Sequence, residues 1–212
     1  DLKTYKNLEK NGQKIIFNGD WTEKTPLGKA EWIKFFGALY GMDAKAKTIF
    51  SSIEKEYHTT LALAKKAPYR PTVLSGAMYQ DQWFVPQGES WMALFLKESQ
   101  SNYLWANTEG TGSLTLPFET ILEKAQKAEF WIAPGDFSSI KEMNNSNPHY
   151  AKFEAFKNKK VYSYALHKGA KGGILFFEWS STRPDWVLKD LIAIFHPELL
   201  PNHRPYFFEK LN

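Results

Sequence analysis

Two aromatic side chains in one stretch could do chemistry that the rest of a polar loop could not. Tyr79 and Trp83 follow Thr72-Val-Leu-Ser-Gly76, which reads as a strand behind Pro71 that ends in a Ser-Gly turn signal. Gly88 and Ser90 then open a helix at Trp91. A loop between a strand end and a helix start is where open α/β sheets bind ligands. Loops are normally polar, so exposed rings there suit stacking on a flat or greasy ligand. Aromatic residues make up 16% of the chain and include eight tryptophans, enough either for a bulky core or for a ring-lined site.

Other chemistries find little support. There is no nucleophile elbow, P-loop, dinucleotide fingerprint or zinc-binding helix motif. Gly110-Thr-Gly112 lacks the third glycine of a fingerprint. His58, His149, His167, His196 and His203 show no metal-ligand spacing, and no metal residues are assigned. With no cysteine, disulfides, thiolate metal sites and thiol nucleophiles are excluded. The net charge of +4 is spread along the chain without a recognition motif, so nucleic acid is not an expected partner. Glu119 enters a helix at Thr120, and a carboxylate in a first turn is favoured by the helix dipole.

The elements that must position these residues come in two styles. Residues 4–11 read as a helix end stopped at Gly12, and Lys14-Ile-Ile-Phe17 as a short strand. Thr25 and Pro26 then begin a strong helix running to Gly41. Its apolar residues spread over several faces, which suits a connector between two packed bodies. A second helix from Asp43 to Ala67 carries Ala46, Ile49, Ile53, Tyr57, Leu61 and Ala64 on one face.

After Pro71 the pattern alternates. Strand candidates are 72–75, 103–106, 129–133 and 161–165, and helix candidates are 90–99, 117–128, 149–157 and 184–196. The fold class is therefore α/β: a three-layer lobe with a mainly parallel central sheet, preceded by a long helix. Right-handed crossovers place the strand C-terminal ends on one edge, with loops 76–89, 107–116, 134–140 and 166–183 gathered there.

These residues resemble a family. Thr25-Pro-Leu-Gly-Lys-Ala-Glu-Trp-Ile-Lys-Phe-Phe-Gly37 is similar to the interdomain helix of periplasmic substrate-binding proteins for iron–siderophore, haem and cobalamin ABC importers. Trp83-Phe-Val-Pro-Gln-Gly-Glu-Ser90, Pro117-Phe-Glu119, Arg183-Pro-Asp-Trp-Val-Leu-Lys-Asp-Leu191 and His196-Pro-Glu-Leu-Leu200 resemble it too. The likeness covers residues 5 to 211 in order and is strongest to the iron-complex members.

The resemblance implies two α/β lobes joined by one rigid helix, with ligand in the cleft between them. It divides this chain into a remnant of the N-terminal lobe (1–20), the connector (21–41) and the C-terminal lobe (42–212). It implies a binding protein rather than an enzyme, with an iron chelate, haem or cobalamin as ligand and no resident cofactor. The partner is an ABC permease, the location periplasmic, with or without a lipid anchor. The rival from another class is an enzyme or metal-insertion protein with the same two-lobed build. Family members present one glutamate per lobe to permease arginines, and Glu119 occupies that context here. Tyr79, Trp83, Trp91, Trp179 and Arg183 are the ligand-binding candidates on the cleft edge, since rings and an arginine suit broad, anionic, partly aromatic ligands. Trp83 and Trp179 are expected to border one concave, partly exposed surface. Without the first lobe, the chain is expected to bind ligand poorly and to self-associate through helix 26–41 or the cleft face.

Overall fold

A computed structural model of the protein describes residues 2–212. The first helix, α1 (Leu2–Lys10), has no buried residue. It stops where Gly12 takes a positive φ of 73°. The strand expected at 14–17 does not form. No neighbouring strand stands beside it among the described residues, and Ile16 and Phe17 stay exposed. Phe17 packs edge-on to Tyr5 of α1, with centroids 4.9 Å apart.

α2 (Pro26–Leu39) starts as its residues dictate. Pro26 occupies the first turn, and the Thr25 hydroxyl accepts a hydrogen bond from the Gly28 amide at 3.0 Å. α3 (Asp43–Ala64) buries Ala46, Phe50, Ile53, Tyr57, Thr60 and Ala64, steps of three and four residues. Phe50 rather than Ile49 faces inward. The two helices approach closely because Gly37 lacks a side chain. A Cβ there would stand 2.4 Å from the Ala46 methyl.

The central sheet uses β1 (Thr72–Ser75), β4 (Asn102–Tyr103), β6 (Phe130–Ile132), β7 (Val161–Ser163) and β8 (Glu209–Lys210). Their spatial order is β4-β1-β6-β7-β8. All neighbours are parallel except β8, which runs antiparallel to β7. Side-chain alternation along β6 shows the layers. Phe130 meets Phe195 of α9 (Pro184–Phe195) on one face, while Trp131 meets Tyr150 and Phe153 on the other. Helical layers therefore cover both faces, and the fold is a three-layer α/β lobe with a mainly parallel sheet. α9 is buried almost all round and packs on α3.

Two further expectations are corrected. Loops 76–89 and 107–116 are not wholly irregular: β2 (Ala77–Tyr79), β3 (Gln82–Pro86) and β5 (Ser113–Pro117) form a second, antiparallel sheet in the order β2-β3-β5. β2 and β3 pair Tyr79 with Gln82, leaving Gln80 and Asp81 as a two-residue turn. The helix expected at 149–157 is interrupted at Phe153, whose backbone is extended. α6 (Ile140–Ser146) precedes a 3-10 turn at Pro148–Lys152, and α7 (Glu154–Lys157) follows. The remaining helices are α4 (Trp91–Glu98), α5 (Phe118–Ala125) and α8 (Leu175–Trp179).

Candidate functional site

Three parallel strands deliver their C-terminal ends to one place. Ser75 and Gly76 end β1, Ala133 follows β6, and Tyr164 follows β7. All four line a cavity of about 730 Å³. The second sheet supplies a wall through Ala77, Tyr79, Phe84 and Pro86. This is one face of the hairpin, since strand residues alternate. The start of α4 contributes Trp91 and Met92, α2 contributes Lys29, and α8 contributes Phe176 and Phe177. The strand-end position is the one that open α/β sheets use for ligands.

The walls are largely aromatic. Tyr79 is 68% exposed and Phe177 65% exposed, so both offer ring faces to whatever enters. Tyr164 stacks on Phe176 with centroids 4.9 Å apart and planes at 14°. Burial, with Asp136 adding to it, raises the Tyr164 hydroxyl above its ordinary pKa. Like an ordinary tyrosine it is neutral and able to donate at neutral pH, and the burial extends that to more alkaline pH. Trp91 is held edge-on by Phe95 at 4.8 Å. The Lys29 ammonium lies 5.7 Å from the centre of the Trp91 ring, within cation–π range. Trp91 and Lys29 also wall an adjoining cavity of about 400 Å³ with Trp21, Glu23 and Glu89. The arrangement can clasp a flat body between rings and offer a cation, a carboxylate (Asp20) and hydroxyls to its polar atoms. No cluster of three His, Cys, Asp or Glu side chains suited to a metal ion exists among the described residues.

Of the expected ligand contacts, Tyr79 and Trp91 reach the cavity. Trp83 does not, and the expectation that it borders an exposed surface is corrected. It sits on β3 between the outward-facing Gln82 and Phe84, so the alternation turns it inward. It is 0% exposed, with Trp131 at 5.0 Å and Phe153 at 5.6 Å. Trp179 is 44% exposed at the end of α8, stacked on Tyr206, and lies outside the cavity lining, although its neighbours Ser180 and Ser181 are part of it. Arg183 is engaged elsewhere. Its Nε donates to the buried Asp185 carboxylate at 2.9 Å, and its guanidinium lies 3.7 Å above Trp186. That pairing fixes the start of α9 and keeps Arg183 out of the lining.

Sequence reasoning missed Phe84, Tyr164, Phe177, Lys29 and Ser75. The signals were partial: Phe84 alternates with Trp83, and Tyr164 stands at the end of a recognised strand. Glu119 is exposed in the first turn of α5, as expected, with no hydrogen-bond or ion-pair partner among the described residues. It borders a separate groove of about 560 Å³ with Asp81, Asn147, His149 and Lys152.

Residues 3–165 match the sequence profile of the periplasmic binding protein family. An uncharacterised lipoprotein of Methanocaldococcus jannaschii is 29% identical over 204 residues, which is 95% of this chain and 47% of that protein. The chain spans about half the length of the curated relatives it matches. A possible iron-binding, periplasmic solute-binding protein of Staphylococcus epidermidis superposes with a TM-score of 0.66 at 16% identity, covering 92% of this chain and 70% of that one. IsdE of S. aureus, solved in complex with haem, does so with a TM-score of 0.59 at 18% identity, covering 81% and 65%. At such identities the structural likeness is one of fold. The profile match runs from α1 through all three strand ends that line the cavity, and by it the chain belongs to the periplasmic binding protein family.

Proposed function

We propose that this chain is the connector helix and C-terminal lobe of a two-lobed binding protein, with residues 1–20 belonging to the first lobe. It captures a metal chelate, a ferric siderophore or a similar flat complex such as haem or cobalamin, and delivers it to an ABC permease. The observation that carries this reading is the cavity of about 730 Å³ at the strand C-termini, walled by Tyr79, Phe84, Trp91, Tyr164 and Phe177. Rings suit the broad organic face of a chelate, and Lys29 suits its anionic edge. The haem complex of IsdE and the iron-binding description of the S. epidermidis protein support this ligand class.

The protein works outside the cytoplasmic membrane, as its family does, and the lipoprotein relative supports a lipid anchor there. No helix among the described residues is long and apolar enough to cross a membrane. Glu119 docks on the permease: its exposed, unpaired carboxylate at a helix start is free to meet a cationic partner. The apolar groove between α2 and α3, lined by Ile33, Phe36, Tyr40, Met42 and Ile49, is where self-association occurs when nothing else covers it.

Tryptophan-fluorescence titration of the full-length, two-lobed protein with a ferric catecholate, a ferric hydroxamate, haemin and cobalamin tests the ligand reading. At least one should bind saturably, and Phe177→Ala should weaken it by roughly 1–3 kcal/mol, the scale of a stacking anchor. No saturable binding by any of the four would overturn it.

A further inference from the structure

Two side chains of the cavity lining carry a buried polar atom without a partner, the Trp91 indole N–H and the Ser75 hydroxyl, and only the hydroxyl can both donate and accept. Ser75 is 0% exposed and its hydroxyl has no hydrogen-bond partner. The other buried serines of the sheet and α4 region differ. Ser90 accepts from the Ala93 amide, Ser99 and Ser101 both donate to the Leu96 carbonyl, and Ser163 accepts from the Ala165 amide. A buried hydroxyl left unpaired costs free energy, so folded proteins rarely keep one without a use.

Its location supplies the use. Ser75 is the last residue of β1, level with Ile132 on β6, and it lines the cavity beside Gly76 and Ala133 at the strand ends. The backbone is unusual at both neighbours. Gly76 has φ +92°, and Ala133, a residue with a side chain, has φ +58°. A Cβ on Gly76 would stand 1.9 Å from the Phe84 carbonyl oxygen, so only glycine lets the hairpin fold over these strand ends. Strained backbone held by surrounding structure clusters at ligand sites. Around these strand ends the walls are mostly rings, which hold a ligand but do not read its polar atoms.

We propose that Ser75 is the specificity contact at the strand-end side of the cavity, hydrogen-bonding an oxygen atom at the buried end of the bound chelate. This rests on the ligand reading above and narrows it to chelates that lead with oxygen, such as catecholates and hydroxamates. A serine hydroxyl both donates and accepts, and it has three staggered positions about χ1. It can therefore turn to a phenolate, a carbonyl or a carboxylate oxygen. A chelate entering with a carbon edge would leave the hydroxyl unpaired and bind more weakly.

The test uses the full-length, two-lobed protein with Ser75→Ala, Ser75→Cys and, as a contrast, Ser163→Ala. Ferric catecholate, ferric hydroxamate and haemin are titrated, and melting temperatures are taken without ligand. Ser75→Ala should weaken the tightest oxygen-donor chelate by about three- to tenfold, the scale of one hydrogen bond. Its melting temperature should hold or rise, because an unpaired hydroxyl is removed. Ser75→Cys, of similar size but a weak donor, should lose affinity as well. Ser163→Ala should do the reverse, losing stability and keeping affinity. Saturable wild-type binding that Ser75→Ala leaves unchanged overturns the proposal while the ligand reading stands. So does a fall in Ser75→Ala melting temperature without loss of affinity, which would make the hydroxyl structural. Failure of every probe to bind the wild type removes the ligand reading and this inference together.

Discussion

Trp83→Ala separates a core tryptophan from a ligand-stacking one. The side chain is 0% exposed and its ring lies between 5.0 and 6.4 Å from those of Trp131, Phe153, Tyr150 and Phe118. Those residues come from β6, α5 and the 3-10 turn region, so the ring ties the second sheet to the central one. Truncation to alanine leaves a cavity that rigid neighbours cannot collapse. Such changes cost roughly 3–5 kcal/mol. In a chain of this length each kcal/mol shifts the melting temperature by about 2–4 °C, giving a fall of roughly 6–20 °C. Trp83→Phe should recover most of the loss. It keeps a ring in the cluster and removes an indole N–H that has no partner. Urea unfolding followed by far-ultraviolet circular dichroism measures the stability, and titration below the new melting temperature measures chelate affinity. Affinity should stay within about threefold of the wild type, because no Trp83 atom belongs to the cavity lining. A Trp83→Ala protein of wild-type stability that has lost its ligand would refute this placement.

Three further outcomes follow from other parts of the fold. The buried Asp190 carboxylate accepts hydrogen bonds from the Tyr206 and Phe207 amides at 2.8 and 2.6 Å and contacts His203 Nε2 at 2.7 Å. Asp190→Ala should cost about 3 kcal/mol or more and make residues 200–206 a site of limited proteolysis; a protease-resistant variant would show the C-terminal segment is held by its rings alone. Burial raises the Glu98 carboxyl above its ordinary pKa, and the hydrogen bond from the Tyr57 hydroxyl offsets this only in part. The folded protein thus holds that proton more tightly than the unfolded chain, so Glu98's contribution to stability is lost as pH climbs from about 4.5 through the raised value. The melting temperature of Glu98→Gln relative to the wild type should rise across that window and then level off, whereas a difference independent of pH would contradict the assignment. Glu119→Gln should leave melting temperature and chelate affinity unchanged yet weaken permease binding in low-salt vesicles, with the difference shrinking as salt rises; normal uptake at low salt would take Glu119 off the docking surface.

Much of the lobe was legible because its signals are local. Thr25 and Pro26 mark the start of α2 by their own chemistry, and Ser90 does the same for α4 by accepting from the Ala93 amide. The alternation of strands and helices after Pro71 is enough to place the strand C-terminal ends on one edge, which is where the cavity lies. The hairpin carrying Tyr79 and Phe84 was not legible, because its turn lacks the usual chemistry. Gln80 takes φ +53° at a position where asparagine or glycine is the common choice. The C-terminal half of the sequence hid β8 as well, since a two-residue strand leaves no period to read.

Side-chain direction explains the rest of the difference. In a strand, the face a residue occupies depends on its parity, and parity is unknown until the register is set. Read as a loop, the segment gave no parity to choose between neighbours, and Trp83 rather than Phe84 was expected to contact ligand. Once β3 pairs Ala77 with Phe84 and Met78 with Trp83, the choice is forced: Phe84 joins the cavity wall and Trp83 joins the core. The same rule bears on Ser75. Its partner across the ladder is Ile132, a buried residue, and a hydroxyl at that level would be an error of packing if the strand continued. The strand ends there, at the edge where the cavity opens, and this is why the same hydroxyl that weakens the empty fold is placed to read a ligand.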